Sequence, residues 1–382
     1  MHGHVAAGFE PVAEAFARNL AERGELGAAF AAVLDGEPVV DLWGGSADRA
    51  RAVPWERDTP ILLFSGAKGL VALCLLMLVE RGALELDAPV ARWWPEFAAA
   101  GKGAVTVREA ATHRARLPGI RVPVSEQEVV DPVRMAALLA DQPAEADPRA
   151  AFAYHNLAFG WILGELIRRA DGRSVRDFFA EEVAGQLGLE LGFGADAERE
   201  PAVAQLEYAP GWGAAFGAGP DDDPLRTAIY GNPPLLAAGE VRWNRPALRR
   251  ALIPAANAIG TPRSMARLYG CLARGGELDG VRLLSPETLA LGRAEQVRGT
   301  DAFLGAPFVF GVGFQLQNDL RWLGPPADAF GHPGAGGSVH AAWPSARVGV
   351  SYATTQLRDD APLDARPSSL LAALDAAIAA RA

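Results

Sequence analysis

Phe64-Ser65-Gly66-Ala67-Lys68-Gly69 runs directly into Leu70-Val71-Ala72-Leu73-Cys74-Leu75-Leu76-Met77-Leu78-Val79. A helix with no polar stripe must be covered by protein on every side, so residues 70–79 predict a helix through the middle of the molecule. Arg81-Gly82 supplies its stop signal. The run 61–79 is long enough to suggest a membrane span, but Lys68 sits near its middle. A central Lys opposes insertion by about 2.5–3.5 kcal/mol, so a buried core helix is expected and no membrane.

Working outward, Val12, Ala15, Phe16 and Leu20 recur at helical spacing and predict an amphipathic first helix over 12–23. Residues 28–34 and 38–43 flank Asp35-Gly36, a pair with the backbone freedom of a hairpin turn. Beyond the buried helix, helical periodicity marks 107–112, 132–140, 157–170 and 175–187. Residues 208–246 lack periodicity and are rich in Gly, Pro and aromatics. A structureless loop of that length is usually functional, and it is expected to form a substrate wall, with Trp212, Phe216, Tyr230 and Trp243 as pocket candidates. A helix over 264–274, strands over 308–316 and 348–354, and a closing helix over 368–380 complete the chain. The expected fold is α+β: an antiparallel sheet flanked by N- and C-terminal helices, built from 1–90 and 255–382, with a mainly helical inserted domain over 91–254. No internal repeat is visible.

Composition excludes whole classes of function. With 36 Lys plus Arg against 46 Asp plus Glu, the net charge is −10, which repels phosphate backbones and anionic membranes, so nucleic acid is not an expected partner. The two cysteines, Cys74 and Cys271, each lie in apolar or helical stretches, too few for a disulfide scaffold or a zinc site. Met1-His2-Gly3-His4-Val5 shows no basic segment followed by an apolar core, and a cytoplasmic protein is expected. No metal or organic cofactor is expected.

Ser65 and Lys68 are three residues apart, which on a helix places them on one face. A Ser hydroxyl becomes a nucleophile only with a base beside it, and a Lys in a dry apolar setting can be that base. The helix start adds N–H groups that can hold an oxyanion. The plainer alternative is a helix-capping Ser followed by a surface Lys. The 11 Ser and 2 Lys of this chain make chance matches to the spacing about 0.06 in number. Of the 36 basic residues 34 are Arg, which cannot deprotonate, yet Lys stands beside Ser65.

Further motifs follow in order: Leu84-Glu85-Leu86-Asp87-Ala88-Pro89-Val90, Thr106-Val107-Arg108-Glu109-Ala110-Ala111-Thr112-His113, Leu117-Pro118-Gly119, Tyr154-His155-Asn156 and Phe330-Gly331-His332-Pro333-Gly334-Ala335-Gly336-Gly337-Ser338. On its own, Tyr154-His155-Asn156 reads equally well as a packed Tyr ring and a helix-capping Asn. Together the motifs resemble the serine β-lactamase and penicillin-binding-protein superfamily, whose first motif is Ser-x-x-Lys, and in particular its class C-like branch with the family VIII carboxylesterases. The resemblance extends over most of the chain. It implies that Tyr154 shares proton transfer with Lys68. It further implies that Asn156 hydrogen-bonds Lys68 and the acyl side of the substrate, and that the N–H of Ala335 pairs with that of Ser65 as an oxyanion hole. Of the other histidines, His113 and His155 are expected to make local hydrogen bonds.

His332-Pro333-Gly334 departs from the family's third motif, Lys-Thr-Gly. A Lys there would bind a substrate carboxylate, whereas a His is mostly neutral at pH 7. The expectation is therefore a serine hydrolase with an acyl-enzyme at Ser65, with Lys68 and Tyr154 as its other catalytic residues. Asn156, His332, Gly334 and Ala335 are expected to bind a small neutral ester or acyl donor. An acyltransferase using the same acyl-enzyme is the alternative; a β-lactamase, a D-aminopeptidase or a catalytically silent binding protein is less favoured.

Overall fold

The computed structural model describes residues 1–213, 223–360 and 363–381. Strand β1 (His2–Val5), helix α1 (Glu10–Glu22) and the hairpin β2 (Gly27–Leu34) and β3 (Glu37–Asp48) open the chain. Asp35 and Gly36 both take positive φ, 51° and 96°, which matches the twist of a two-residue hairpin and brings Leu34 opposite Glu37. The C-terminal part adds β4 (Val297–Thr300), β5 (Pro307–Phe310), β6 (Gln315–Leu316), β7 (Phe330–Pro333), β8 (Val339–Trp343) and β9 (Val348–Thr354). The result is one antiparallel sheet in the order β1-β3-β2-β9-β8-β7-β6-β5-β4, with Val53–Pro54 paired to β3. Its seam is β2 against β9, from Leu34↔Val348 to Ala28↔Thr354.

The central strand β2 is buried on both faces, and its period-2 alternation decides what each face meets. Ala28, Phe30 and Ala32 pack with Val12 and Phe16 of α1 and with Leu370 and Leu374 of the closing helix Ala365–Ala379. On the other side lie the helices Ala67–Glu80 and Pro262–Ala273, here α2 and α4, with Ala158–Asp171 between them in sequence as α3 and Ala365–Ala379 as α5. Helix α4 rests directly on β9 because Gly349 faces Gly270: a Cβ on Gly349 would lie 2.0 Å from the Gly270 nitrogen. The fold is thus α+β, an antiparallel sheet flanked by helices from both chain ends, as the sequence led us to expect.

Every residue of α2 from Ala67 to Leu78 is buried, which bears out the reading of 70–79. Among the described residues no helix is long and apolar enough to cross a membrane. The helices Pro132–Asp141 and α3 lie within two residues of expectation, and 175–187 is helical with a π turn at Ala180–Ala184. Three readings are corrected. The single strand over 308–316 is two, β5 and β6, because the chain turns at Gly311, whose N–H donates to Phe314 O at 2.9 Å. The stretch 208–246 is not structureless in its described part, since Asp223 caps a helix over Pro224–Tyr230 with Pro224 at its first position. The closing helix starts three residues earlier than 368, at Ala365, because Asp364 is its cap. Strand Leu191–Phe193, from the mainly helical stretch, pairs with Ala258–Gly260, which pairs in turn with Ile61–Leu62, the strand leading to Ser65.

Candidate active site

Chain geometry presents Ser65 before any catalytic argument is needed. Phe64 holds φ at 45°, a left-handed conformation uncommon for a bulky residue and sustained only where the surroundings over-determine it. Here its backbone bridges to Asn257 and its ring meets Trp243 edge-on at 5.7 Å. Ser65 and Gly66 then form a turn, and α2 begins at Ala67. A Cβ at Gly66 would lie 2.5 Å from the His340 ring, so glycine is required there. Ser65 makes no capping bond to the helix, which removes the helix-cap explanation for this serine.

Lys68 is fully buried. Its Nζ donates to Ser65 Oγ at 3.2 Å and to Ala255 O at 3.0 Å, and lies 4.8 Å from the centre of the Tyr154 ring. Burial, with no compensating carboxylate among the described residues, holds its pKa well below the usual lysine value. The other lysine is a useful contrast: Lys102 Nζ donates to the carbonyls of Ala99, Ala140 and Gln142, a saturated structural role.

Tyr154 Oη donates to the same Ser65 Oγ at 3.0 Å. Burial pushes its phenol above the usual range, so it remains a protonated donor. Its N–H donates to Asp301 Oδ2 at 2.7 Å and its ring stacks on Phe308 with centroids 5.2 Å apart. Behind it, the His155 N–H donates to His113 Nδ1 at 3.0 Å, His155 Nε2 accepts from the Leu117 N–H at 3.3 Å, and His155 Nδ1 donates to Ala153 O at 2.6 Å. These local bonds fix the backbone on both sides of Tyr154. Asn156 departs from what the resemblance implied. Among the described residues no hydrogen bond joins it to Lys68, whose Nζ donates to Ser65 Oγ and Ala255 O; Asn156 lines the cleft.

On β7, His332 pairs in register with His340. Its Nδ1 lies 2.7 Å from Pro333 O; a carbonyl can only accept, so Nδ1 carries the hydrogen and Nε2 a lone pair. Burial first, then the nearby Lys68, lowers its pKa to about 3, and the ring is neutral at pH 7. The turn after β7 lies against the approach to Ser65: a Cβ on Gly334 would be 2.6 Å from Leu63 O. Ser65, Tyr154, Asn156, His332, Gly334 and Ala335 all border one cleft of about 440 Å³.

The Beta-lactamase family pattern matches residues 12–374. The chain belongs to the β-lactamase family. It is 35% identical over 380 residues to the esterase/beta-lactamase LipL of Mycobacterium tuberculosis, covering 93% of this chain and 82% of that one. The crystal structure of a family VIII carboxylesterase superposes with a TM-score of 0.90 at 35% identity, covering 98% and 99% of the two chains. That of a penicillin-binding protein homolog from Caulobacter crescentus gives 0.88 at 36%, with 98% and 99% covered.

Of the three described aromatic candidates, one borders this β-lactamase-family cleft. Trp243 lines it. Trp212 instead stacks on Tyr208 at 4.9 Å and donates its indole N–H to Leu236 O, and Tyr230 faces a separate small cavity behind Asn156. Phe216 lies outside the described residues. Sequence reading missed Phe308 and Trp322, which meet edge-on at 5.6 Å and line the cleft. The alternation Phe308-Val309-Phe310 marked a strand but not which face would border Ser65. Asp301 was missed too, because its bond to Tyr154 spans 147 residues and leaves no local signal.

Proposed function

We propose that this chain is a carboxylesterase that acts through an acyl-enzyme on Ser65. The observation that carries the reading is the convergence of Lys68 Nζ and Tyr154 Oη on one Ser65 Oγ, with the Lys68 amine buried and, among the described residues, not paired with a carboxylate. Unprotonated Lys68 takes the hydroxyl proton as Oγ bonds to the ester carbonyl. The N–H groups of Ser65 and Ala335 hold the oxyanion, and Gly334 allows that turn its close approach. As the C–O bond to the alcohol breaks, Tyr154 gives its proton to the departing oxygen and regains one from Lys68. Water then repeats the cycle on the acyl-enzyme. Asn156 and His332 border the bound ester, and no cofactor enters any step. Likeness to LipL and to a family VIII carboxylesterase supports ester substrates.

The test is intact-mass measurement after exposure to short esters, thioesters and β-lactams. Ser65 should gain the acyl mass from neutral esters and thioesters. No Ser65 adduct with any ester would overturn the reading, and an added alcohol that outcompetes water would reassign the chain as an acyltransferase.

Neutral His332 sets the expected preference. Its Nε2 lone pair cannot attract a carboxylate, so neutral esters should exceed penicillins and D-alanyl peptides in kcat/KM. A charge-assisted hydrogen bond is worth roughly 1.5–3 kcal/mol, so His332→Lys should shift relative preference toward anionic substrates by about 10- to 150-fold. Arg358 also lines the cleft, but its guanidinium is engaged by Gln356 Oε1 and Gly24 O. Unchanged preference in kinetics of the His332→Lys variant would move carboxylate recognition to an arginine of the cleft.

A further inference from the structure

Against the far side of the turn that carries Ala335 lies a buried ionic cluster, whose Asp364 also borders the cleft. Arg366, in the first turn of α5, has no exposed surface. Its Nε donates to Asp364 at 3.1 and 3.0 Å, and its Nη2 donates to Asp364 Oδ2 at 2.6 Å. Nη1 donates to Glu25 Oε1 at 3.4 Å, Thr354 Oγ1 at 3.2 Å and Gln356 O at 3.1 Å. Glu25 in turn accepts from Thr354 Oγ1 at 2.6 Å and from Tyr352 Oη. Such a cluster is a poor source of net stability, since taking these charges out of water costs about as much as their attraction returns. Its geometry has another consequence.

The one remaining donor direction of the fork, from Nη2, reaches Gly336 O at 3.4 Å. Gly336 O also accepts from the Arg358 N–H at 3.2 Å. Gly336 and Gly337 hold φ at 87° and 108°. A Cβ on Gly337 would lie 2.6 Å from Asp364 Oδ2 and 3.3 Å from Arg366 Nη2, so the turn sits flush on the ion pair. On its other side Gly334 abuts Leu63 O and Phe64 Cβ. Ala335 is therefore clamped between the segment leading to Ser65 and the Arg366 cluster.

We propose that Arg366, with Asp364, is a positioning residue that sets the N–H of Ala335 as an oxyanion donor. This rests on the acyl-enzyme reading above. Arg366→Lys keeps the cluster's charge but has no second nitrogen to hold Asp364 and Gly336 O together. Gly337→Ala keeps every charged group of the cluster but places a Cβ 2.6 Å from Asp364 Oδ2 at a φ of 108°, so the turn and the ion pair are pushed apart.

The readout is kcat for an ester and for its thionoester analogue, whose larger, weakly accepting sulfur depends less on a well-aimed donor. Losing an entire oxyanion donor costs 10²–10³ in kcat, so misplacing one should lower ester kcat about 10-fold in either variant, with KM nearly unchanged. The thionoester rate should fall far less, so the ester-to-thionoester ratio should drop by about the same factor. A folded variant of either kind whose ratio matches the parent would overturn the assignment. A general loss of stability would lower both rates together and likewise count against it. A parent chain that is never acylated at Ser65 would instead defeat the reading on which the assignment rests.

Discussion

Ser65→Ala should abolish ester turnover, with kcat/KM falling by about 10⁴-fold or more, the range for loss of a nucleophile in a unit that works together. The chain should remain folded. The substitution deletes one oxygen, and Ser65 makes no helix-capping bond that could be lost. Lys68 keeps Ala255 O as an acceptor, while Tyr154 Oη loses the partner that it had in Ser65 Oγ. An unsatisfied buried donor costs about 1–3 kcal/mol, less than the total stability of an ordinary domain. Melting should therefore shift only by several degrees, and mass spectrometry should find no acyl adduct. Substantial turnover by a pure, folded Ser65→Ala protein would remove Ser65 as the nucleophile.

What was legible in the sequence follows from where the relevant forces act. Helix α2 could be read because its burial is complete, so every residue from Ala67 to Leu78 carries the same apolar signal. The first hairpin was readable because Asp35-Gly36 is a local conformational statement. Ser65 and Lys68 stood out for the same reason, as three-residue spacing is a local geometry. Strands β1, β4, β7 and β8 carried no such statement. Gly331, His332 and Pro333 do not look like a strand alone, and they become one because β8 pairs with all three and β6 with Gly331. The contacts that hold the site are the least local of all. Asp301 under Tyr154, Ala255 under Lys68 and Arg366 under Gly336 are joined across 147, 187 and 30 residues. Asn156 shows the opposite risk: the motif placed it in the cleft, but the bond to Lys68 implied by resemblance is not found among the described residues.

Lys68→Arg should reduce the rate of Ser65 acylation by at least about 10²-fold, the lower range for a lost general base. Arginine keeps hydrogen-bond donors at this position but stays protonated at any working pH, so it cannot take a proton. In the parent, desolvation favours the neutral amine, so its proton is lost well below the usual lysine pKa. The sign of the pH dependence follows: lowering pH through that value protonates the amine and removes the base. Parent kcat/KM should thus rise with pH along a single limb set by Lys68, and that limb should be absent in Lys68→Arg. Tyr154 does not supply it, since burial moves its phenol to still higher pKa. Lys68→Met separates the base from the charge. It should be as inactive as the arginine variant, yet it places no permanent charge in a pocket where, among the described residues, Ser65 Oγ and Ala255 O are the partners of Nζ. Stopped-flow acylation across pH distinguishes the cases. Near-parental acylation with an intact limb in Lys68→Arg would reduce Lys68 to a positive charge beside Ser65, and a different group would have to take the proton.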